Sequence, residues 1–271
     1  MLNFIATPIG NLNDISLRAI EVIRSSDYLY AEDTRNTQKL LNFINIKIKC
    51  QSFHEHNEDE TSKKIIRHLK SKKNVSIVSD AGTPSISDPG YKLIQMCIEN
   101  SLKYTLIPGA SSIISSLVMS GLPTDKFSFY GYIPKKQSDQ DKFFESLVNE
   151  DKTSILFESP KRILKSIQKL TKYLNPNQKI SICKEMTKLH ENIIRGQVKN
   201  ILSIIKENNF NLRGEIVVAI EGRKKIKKHI QIDKKIKEEY LTKLSAADSA
   251  KLISLISGEN KRDIYKKLIE K

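Results

Sequence analysis

Cysteine is scarce in this chain, and the little there is excludes several kinds of protein. Cys50, Cys97 and Cys183 are odd in number, scattered and without CxxC spacing. That argues against a disulfide framework or a zinc site and fits a reducing, cytoplasmic compartment. Long apolar runs are also missing. None approaches the roughly 20 residues needed to span a bilayer, so no membrane partner is expected. The opening Met1-Leu2-Asn3-Phe4-Ile5-Ala6 lacks the basic n-region of a signal peptide and reaches Pro8 and Gly10 at once. Several enzyme signatures are absent as well: there is no GxSxG elbow, no Walker A loop and no GxGxxG fingerprint.

What is present is a globular composition. Apolar residues make up 39% and charged residues 28%, and 271 residues can bury a core with room for two domains. Lys and Arg outnumber Asp and Glu by 46 to 31, a formal net charge of +15. Such an excess favours polyanionic partners, because phosphate contacts dominate nucleic-acid affinity and steer encounter. The chain is also rich in Lys, Asn and Ile together, the bias of an AT-rich genome, in which Lys accumulates on surfaces without a role. Charge alone leaves both readings open.

The first half alternates short β-rich runs with amphipathic helical patterns. Strands are expected at 2–6, 27–31, 75–79 and 103–107, and helices at 15–25, 35–44, 60–73 and 91–100. This alternation implies α/β architecture with a parallel, doubly wound sheet, whose ligands bind beyond the carboxyl ends of the strands. The pattern breaks at Ser120-Gly121-Leu122-Pro123-Thr124, giving an expected N-terminal domain over 1–120. A second α/β domain, 121–223, carries strands at 127–131, 153–157, 179–183, 191–195 and 215–220. Its helices are expected near 139–149, 161–173 and 198–208. Three strands in close succession with one helix among them imply a mixed or antiparallel sheet. The remainder, 224–271, reads as a basic linker and a small helical appendage, with Leu244, Ala247, Lys251, Leu252, Leu255 and Ile256 at helical spacing.

Four strand-end loops carry candidate chemistry. Ala6-Thr7-Pro8-Ile9-Gly10-Asn11-Leu12 sits where a dinucleotide loop would, but has the wrong residues for one. Ala31-Glu32-Asp33-Thr34-Arg35 opens a helix, where Asp33 or Thr34 can simply be an N-cap. The strongest signal is Ser79-Asp80-Ala81-Gly82-Thr83-Pro84-Ser85-Ile86-Ser87-Asp88-Pro89-Gly90. Its two Gly and two Pro fix an unusual backbone path, while Asp, Thr and Ser offer donors and acceptors. Pro108-Gly109-Ala110-Ser111-Ser112 is a small-residue loop that lets a ligand approach the backbone, and is also an ordinary helix start. Ser52-Phe53-His54-Glu55-His56-Asn57-Glu58 is not HExxH, and two His two apart do not share a helix face. It reads as a polar loop near substrate rather than a metal site. Glu158-Ser159-Pro160-Lys161-Arg162 follows a strand and starts a helix.

Together, Ala6–Leu12, Ala31–Arg35, His54–Asn57, Asp80–Gly90, Ser120–Pro123, Glu158–Arg162 and Arg213-Gly214-Glu215 closely resemble the ribosomal RNA small subunit methyltransferase I family. That family is a branch of the tetrapyrrole (corrin/porphyrin) methylase superfamily. The likeness runs over essentially the whole chain, in order. Met186 stands where the family more often has Leu, and the helical piece ending in Lys261-Arg262-Asp263-Ile264-Tyr265 also has its counterpart. The resemblance implies two α/β domains with S-adenosylmethionine in the cleft between them, usually in a homodimer. The implied activity is 2′-O-methylation of a cytidine (cytidine 1402 in standard rRNA numbering) in the decoding centre of 16S rRNA, within an assembled small ribosomal subunit. It assigns cofactor contacts to Pro8, Ile9, Asp80, Gly82, Thr83, Ile86, Ser111 and Ser112, with apolar contacts from Phe157 and Met186.

Methyl transfer from a sulfonium is an in-line displacement, so alignment of the 2′-oxygen should supply much of the rate, up to about 7–11 kcal/mol. A general base should add roughly 10²–10⁴-fold. Asp33 and Glu158 are the first candidates, at strand ends facing the expected cleft, with His54 and His56 behind them. Arg35, Lys161 and Arg162 are expected to hold phosphates, and His54, His56 and Asn57 to lie against a splayed loop nucleotide. No metal is expected. Two rival readings are a tetrapyrrole-biosynthesis C-methyltransferase and a non-catalytic ribosome-assembly RNA-binding protein. The His54–Asn57 loop, the basic charge and the helical tail favour RNA, and the intact Asp80–Gly90 loop favours catalysis.

Overall fold

The first five strands are short, and the three at the centre of their sheet are mostly apolar because both faces are covered. In the computed structural model, which describes residues 1–207, 214–223, 234–257 and 259–269, they are β1 (Leu2–Ile5), β2 (Tyr28–Ala31), β3 (Cys50–Ser52), β4 (Val75–Val78) and β5 (Tyr104–Ile107). They line up as β3-β2-β4-β1-β5, every neighbouring pair parallel. Successive side chains on a strand point to opposite faces. Leu2, Phe4, Tyr30, Val75 and Ile77 therefore pack with Ile65, Ile66 and Leu69 of α3 (Glu58–Lys70) and Leu93 and Cys97 of α4 (Tyr91–Glu99). Ile5, Leu29, Ala31 and Val78 pack the other way, with Ala19 and Ile23 of α1 (Leu17–Arg24) and Leu41 of α2 (Thr34–Phe43). Each such side chain, fully buried, contributes about 1.5–3 kcal/mol. The sheet is parallel and doubly wound, as expected. The unexpected element is β3, a three-residue edge strand, Cys-Gln-Ser, too short and too polar to show any periodicity.

Helix α5 (Ser112–Ser120) starts at Ser111, whose hydroxyl accepts the Ile114 N–H at 3.5 Å, and ends at Gly121 in the left-handed conformation, φ 72°. Its Ile113 and Leu117 pack on one face of a second sheet, with Ile155, Cys183, Val217 and Ala219. That sheet comprises β6 (Phe127–Tyr132), β7 (Thr153–Glu158), β8 (Lys179–Lys184), β9 (Asn192–Gln197) and β10 (Ile216–Ile220), ordered β6-β7-β10-β8-β9. Only the β6–β7 pair is parallel, so the sheet is mixed. Its other face packs Leu156, Ile182 and Val218 against α6 (Gln137–Leu147), α7 (Ile163–Leu170) and α8 (Ile201–Glu207). The α7 helix begins two residues after its expected start. The Arg162 and Ile163 N–H groups both turn back to the Ser159 carbonyl, so Pro160–Arg162 forms a turn first.

The chain divides into two units at Arg223, and both sheets belong to the first. The second unit holds α9 (Lys234–Lys243), α10 (Ala246–Ser257) and α11 (Lys261–Ile269), with Ala250, Ile253, Ile264 and Leu268 as its core. The helical reading of this segment holds, but its buried face differs from the expected stripe. Leu255 is 75% exposed, because Ala250 and Ile253 are the residues that meet α11. Asn208, Arg213, the expected linker residues 224–229, Glu270 and Lys271 lie outside the described residues.

Candidate active site

The loops after β1, β2, β4 and β5 emerge at the carboxyl end of one parallel sheet, the end at which such sheets bind ligands. The loop after β4 is fixed at both ends. Thr7 and Gly82 exchange N–H···O bonds of 2.9 and 3.0 Å, and the Thr7 hydroxyl donates to the Ser79 carbonyl at 3.1 Å. At the far end the Gly90 N–H donates to the buried Glu58 carboxylate at 2.9 Å. Between these anchors Gly82, Ser85 and Ser87 take positive φ of 80°, 68° and 62°. Such conformations are unfavourable for serine and persist where the surroundings dictate them.

The second sheet supplies the opposite wall. The turn after β8 places Glu185 and Thr187 at φ 50° and 64°, and Thr187 Oγ1 accepts the Asn11 N–H at 3.0 Å. The loop after β1 is thereby joined to the second sheet. Phe157 stands edge-on to Phe129 at 4.9 Å and to Tyr132 at 5.4 Å. A bulge between Phe129 and Tyr132, with Gly131 at φ 69°, brings this strand beside Ser87. The two walls enclose a cavity of about 480 Å³.

Asp80, Gly82, Thr83, Ile86, Ser111, Ser112 and Phe157 all line this cavity. Ile9 and Met186 are buried in the apolar cluster that also contains Phe157 and Val217, and Pro8 is buried in the first loop. Asp80 also joins two loops: its carboxylate accepts the Asp33 N–H at 2.9 Å and the Asn36 amide at 3.1 Å.

The two expected bases are engaged in the fold. Asp33 accepts the Arg35 N–H at 2.8 Å as the N-cap of α2 and pairs with the Arg35 guanidinium at 2.8 Å. Hydrogen bonds from Arg35 hold the Asp33 carboxyl down at about 2. Glu158 lines the cavity, but its side chain is 0% exposed. Its carboxylate receives the Ser159 N–H at 2.6 Å, the Ser166 hydroxyl at 2.5 Å and Arg162 at 2.5 Å.

Two expected substrate contacts are likewise engaged within the fold. Arg162 donates to the Ile133 and Pro134 carbonyls at 2.9 and 3.3 Å besides pairing with Glu158, so it braces the second sheet's own loops. Asn57 accepts the His54 N–H at 2.8 Å and donates to Ser52 at 3.2 Å, closing its own loop. Arg35, Lys161 and His56 are exposed, while His54 is half-buried, its ring 6.0 Å from that of His56. Among the described residues, no group of three His, Cys, Asp or Glu side chains is arranged to hold a metal ion, and no helix is long and apolar enough to cross a membrane.

The sequence reading missed Glu32, Asp88, Tyr132 and Glu215, all of which line the cavity. Burial pushes the Asp88 carboxyl up to about 7, helped by Glu32 and Asp80, and burial also raises Glu32. Burial, then Glu215 and Asp88, raises Tyr132. Glu32 and Asp88 sit inside motifs already singled out, beside louder neighbours. Tyr132 carried no sequence signal, because a strand bulge brings it in.

This geometry defines a class. The family described as Tetrapyrrole (Corrin/Porphyrin) Methylases matches residues 1–202, and the chain belongs to it. Among solved structures of similar fold are a diphthine synthase (TM-score 0.63, 16% identity, 81% of this chain and 89% of that one) and a Thermus thermophilus uroporphyrin-III C-methyl transferase complexed with S-adenyl homocysteine (TM-score 0.55, 13% identity, 81% and 96%). Within the class the chain belongs with the relatives called ribosomal RNA small subunit methyltransferase I. The Hydrogenobaculum sp. protein is 42% identical over 81% of this chain and 94% of its own length. The Haemophilus influenzae protein is 35% identical over 98% and 95%.

Proposed function

We propose that this protein transfers a methyl group from S-adenosylmethionine to small-subunit (16S) ribosomal RNA, at the 2′-oxygen of a cytidine in the decoding centre. The observation that carries the reading is the cavity between the two sheets. Its volume of about 480 Å³ lies within the range of small-molecule sites. Gly82 presents bare backbone, Thr83, Ser111 and Ser112 offer hydroxyls, and Ile113, Phe157 and Val217 give an apolar wall, a lining suited to a nucleoside joined to an amino acid. When bound, the cofactor supplies an activated methyl group on a sulfonium. Gly82, Thr83, Ser111 and Ser112 would hold that donor, Phe157 and Tyr132 would exclude water, and the cavity walls would align the ribose oxygen. Alignment of this kind is worth up to about 7–11 kcal/mol.

The net charge of +15 and the exposed Arg35, Lys161 and His56 support an extended polyanion such as RNA as substrate. The reading extends to an assembled subunit as substrate and to a cytoplasmic homodimer, for which the exposed Tyr104, Leu106, Ile114 and Val118 offer apolar surface. The test incubates the full chain and methyl-labelled cofactor with small subunits, naked 16S rRNA or uroporphyrinogen. Alkali-resistant label at a cytidine is expected, because a methylated 2′-oxygen cannot attack its phosphodiester. Label in the macrocycle alone would make the protein a tetrapyrrole C-methyltransferase. No transfer, with no calorimetric cofactor binding, would make it a non-catalytic assembly factor.

A further inference from the structure

We propose that Asp88 is the general base of this cavity, taking the proton of the ribose 2′-hydroxyl during methyl transfer; this rests on the function proposed above. A base must reach the cavity and keep a lone pair free. Asp33 is engaged with Arg35 and the start of α2, and Glu158 is closed off by Ser159, Ser166 and Arg162. Asp88 lines the cavity, and among the described residues its carboxylate has no hydrogen-bond or ion-pair partner.

Its aim is fixed by its neighbours. Ser87 before it sits at φ 62° next to the Gly131 bulge, and Gly90 after it is held by Glu58. The titratable groups around it are Glu32 after β2, with His54 beside Glu32, Asp80 after β4, Tyr132 on β6 and Glu215 before β10. Glu158 is also near but is neutralised by Arg162. Lys188 pairs with Glu215 at 3.2 Å and His54 offsets part of the charge on Glu32, but the charges that act on Asp88 itself are those of Glu32 and Asp80. The carboxylates and the burial together keep Asp88 protonatable near neutral pH, where a base of this kind transfers protons best.

In the step itself, a lone pair of the 2′-oxygen forms the new O–C bond. The C–S bond breaks with its electron pair left on sulfur, which becomes a neutral thioether. The hydroxyl proton passes to an Asp88 oxygen and then to solvent.

The experiment compares the wild-type protein with Asp88→Asn, Asp88→Glu and Glu32→Gln. Single-turnover methylation of small subunits by Asp88→Asn should fall roughly 10²–10⁴-fold, with partial recovery in Asp88→Glu, while calorimetric cofactor affinity stays within about twofold. The wild-type rate should rise with pH to a plateau above about 7, and Glu32→Gln should move that midpoint to lower pH. A readout independent of activity is thermal unfolding against pH. A carboxyl with a raised folded pKa holds its proton where the unfolded chain has lost it, so stability falls as pH climbs from about 4 through about 7. Asp88→Asn should therefore melt higher than wild type at pH 8, with the gap closing below pH ~4. Methylation by Asp88→Asn within about threefold of a working wild type, or a matching loss of cofactor binding, overturns the proposal alone. A wild type that methylates no rRNA overturns this proposal together with the functional reading.

Discussion

Replacing Gly10 by Ala tests whether the seam between the two sheets is as tight as the geometry makes it. Gly10 has an ordinary negative-φ backbone, so the substitution carries no left-handed penalty, only a steric one. A Cβ there would lie 2.4 Å from Lys188 Cγ, 2.7 Å from Thr187 Oγ1 and 2.8 Å from the Met186 carbonyl oxygen. The lysine can swing aside, but the carbonyl belongs to a turn held at positive φ on both sides and cannot. Overpacking of this kind costs about 1–3 kcal/mol, and losing the Asn11–Thr187 hydrogen bond adds about 0.5–1.5 kcal/mol. For a unit of this size that lowers Tm by roughly 3–18 °C. Scanning calorimetry measures it, and Thr187→Val, which removes the bond without adding volume, should show only the smaller loss. Cofactor affinity should drop in Gly10→Ala because the loop that carries Ile9 is displaced. If Gly10→Ala unfolds within about 0.5 kcal/mol of wild type, the seam is loose and the argument fails.

Glu58→Ala leaves the buried Gly90 N–H without an acceptor, which should cost about 1–3 kcal/mol in denaturant unfolding and weaken cofactor binding by freeing the end of the loop after β4. Arg162→Met leaves the Glu158 carboxylate buried beside no cation and should destabilise by about 3–5 kcal/mol. Adding Glu158→Gln should restore part of this, and a single loss below about 1 kcal/mol would show the pair to be unimportant. Asp33→Asn should leave methyl transfer within a few-fold of wild type. Because Arg35 lowers the Asp33 carboxyl to about 2, the stability this charge contributes is present above pH ~4 and fades as pH falls through about 2, so wild-type and variant melting curves should converge across that window. Collapse of transfer in Asp33→Asn would return the base to Asp33.

Much of the fold was legible because burial on two faces leaves a mark in the chain. Runs such as Val75-Ser76-Ile77-Val78 are buried throughout and apolar but for one serine, as a sheet covered by helices on both sides requires. The loop after β4 was legible for a different reason: Asp80–Gly90 concentrates the residues that tolerate or impose odd backbone angles, and four of its positions do take positive φ. The three-residue β3 was not legible, since an edge strand that short is made by its neighbour β2 rather than by its own pattern. The buried face of α10 was misread because helical spacing offers more than one apolar stripe, and contact with α11 selects among them.

The functional side chains divide in the same way. Residue type and order alone determined a parallel α/β core, a mixed second sheet, a helical tail and the four loops at the carboxyl end of the first sheet, since these follow from local pattern and turn chemistry. Local pairing takes two carboxylates out of use, and tertiary contact decides which other one remains available. Asp33 and Glu158 look reactive as letters, but Arg35 and Arg162 claim them, while Asp88, an unremarkable member of its loop, is left unpaired beside Glu32 and Tyr132. The reason is physical: a carboxylate's reactivity is set by what surrounds it in space, and whereas Asp33 and Glu158 meet arginines two and four residues along, the surroundings of Asp88 come from strands and loops far apart in the chain.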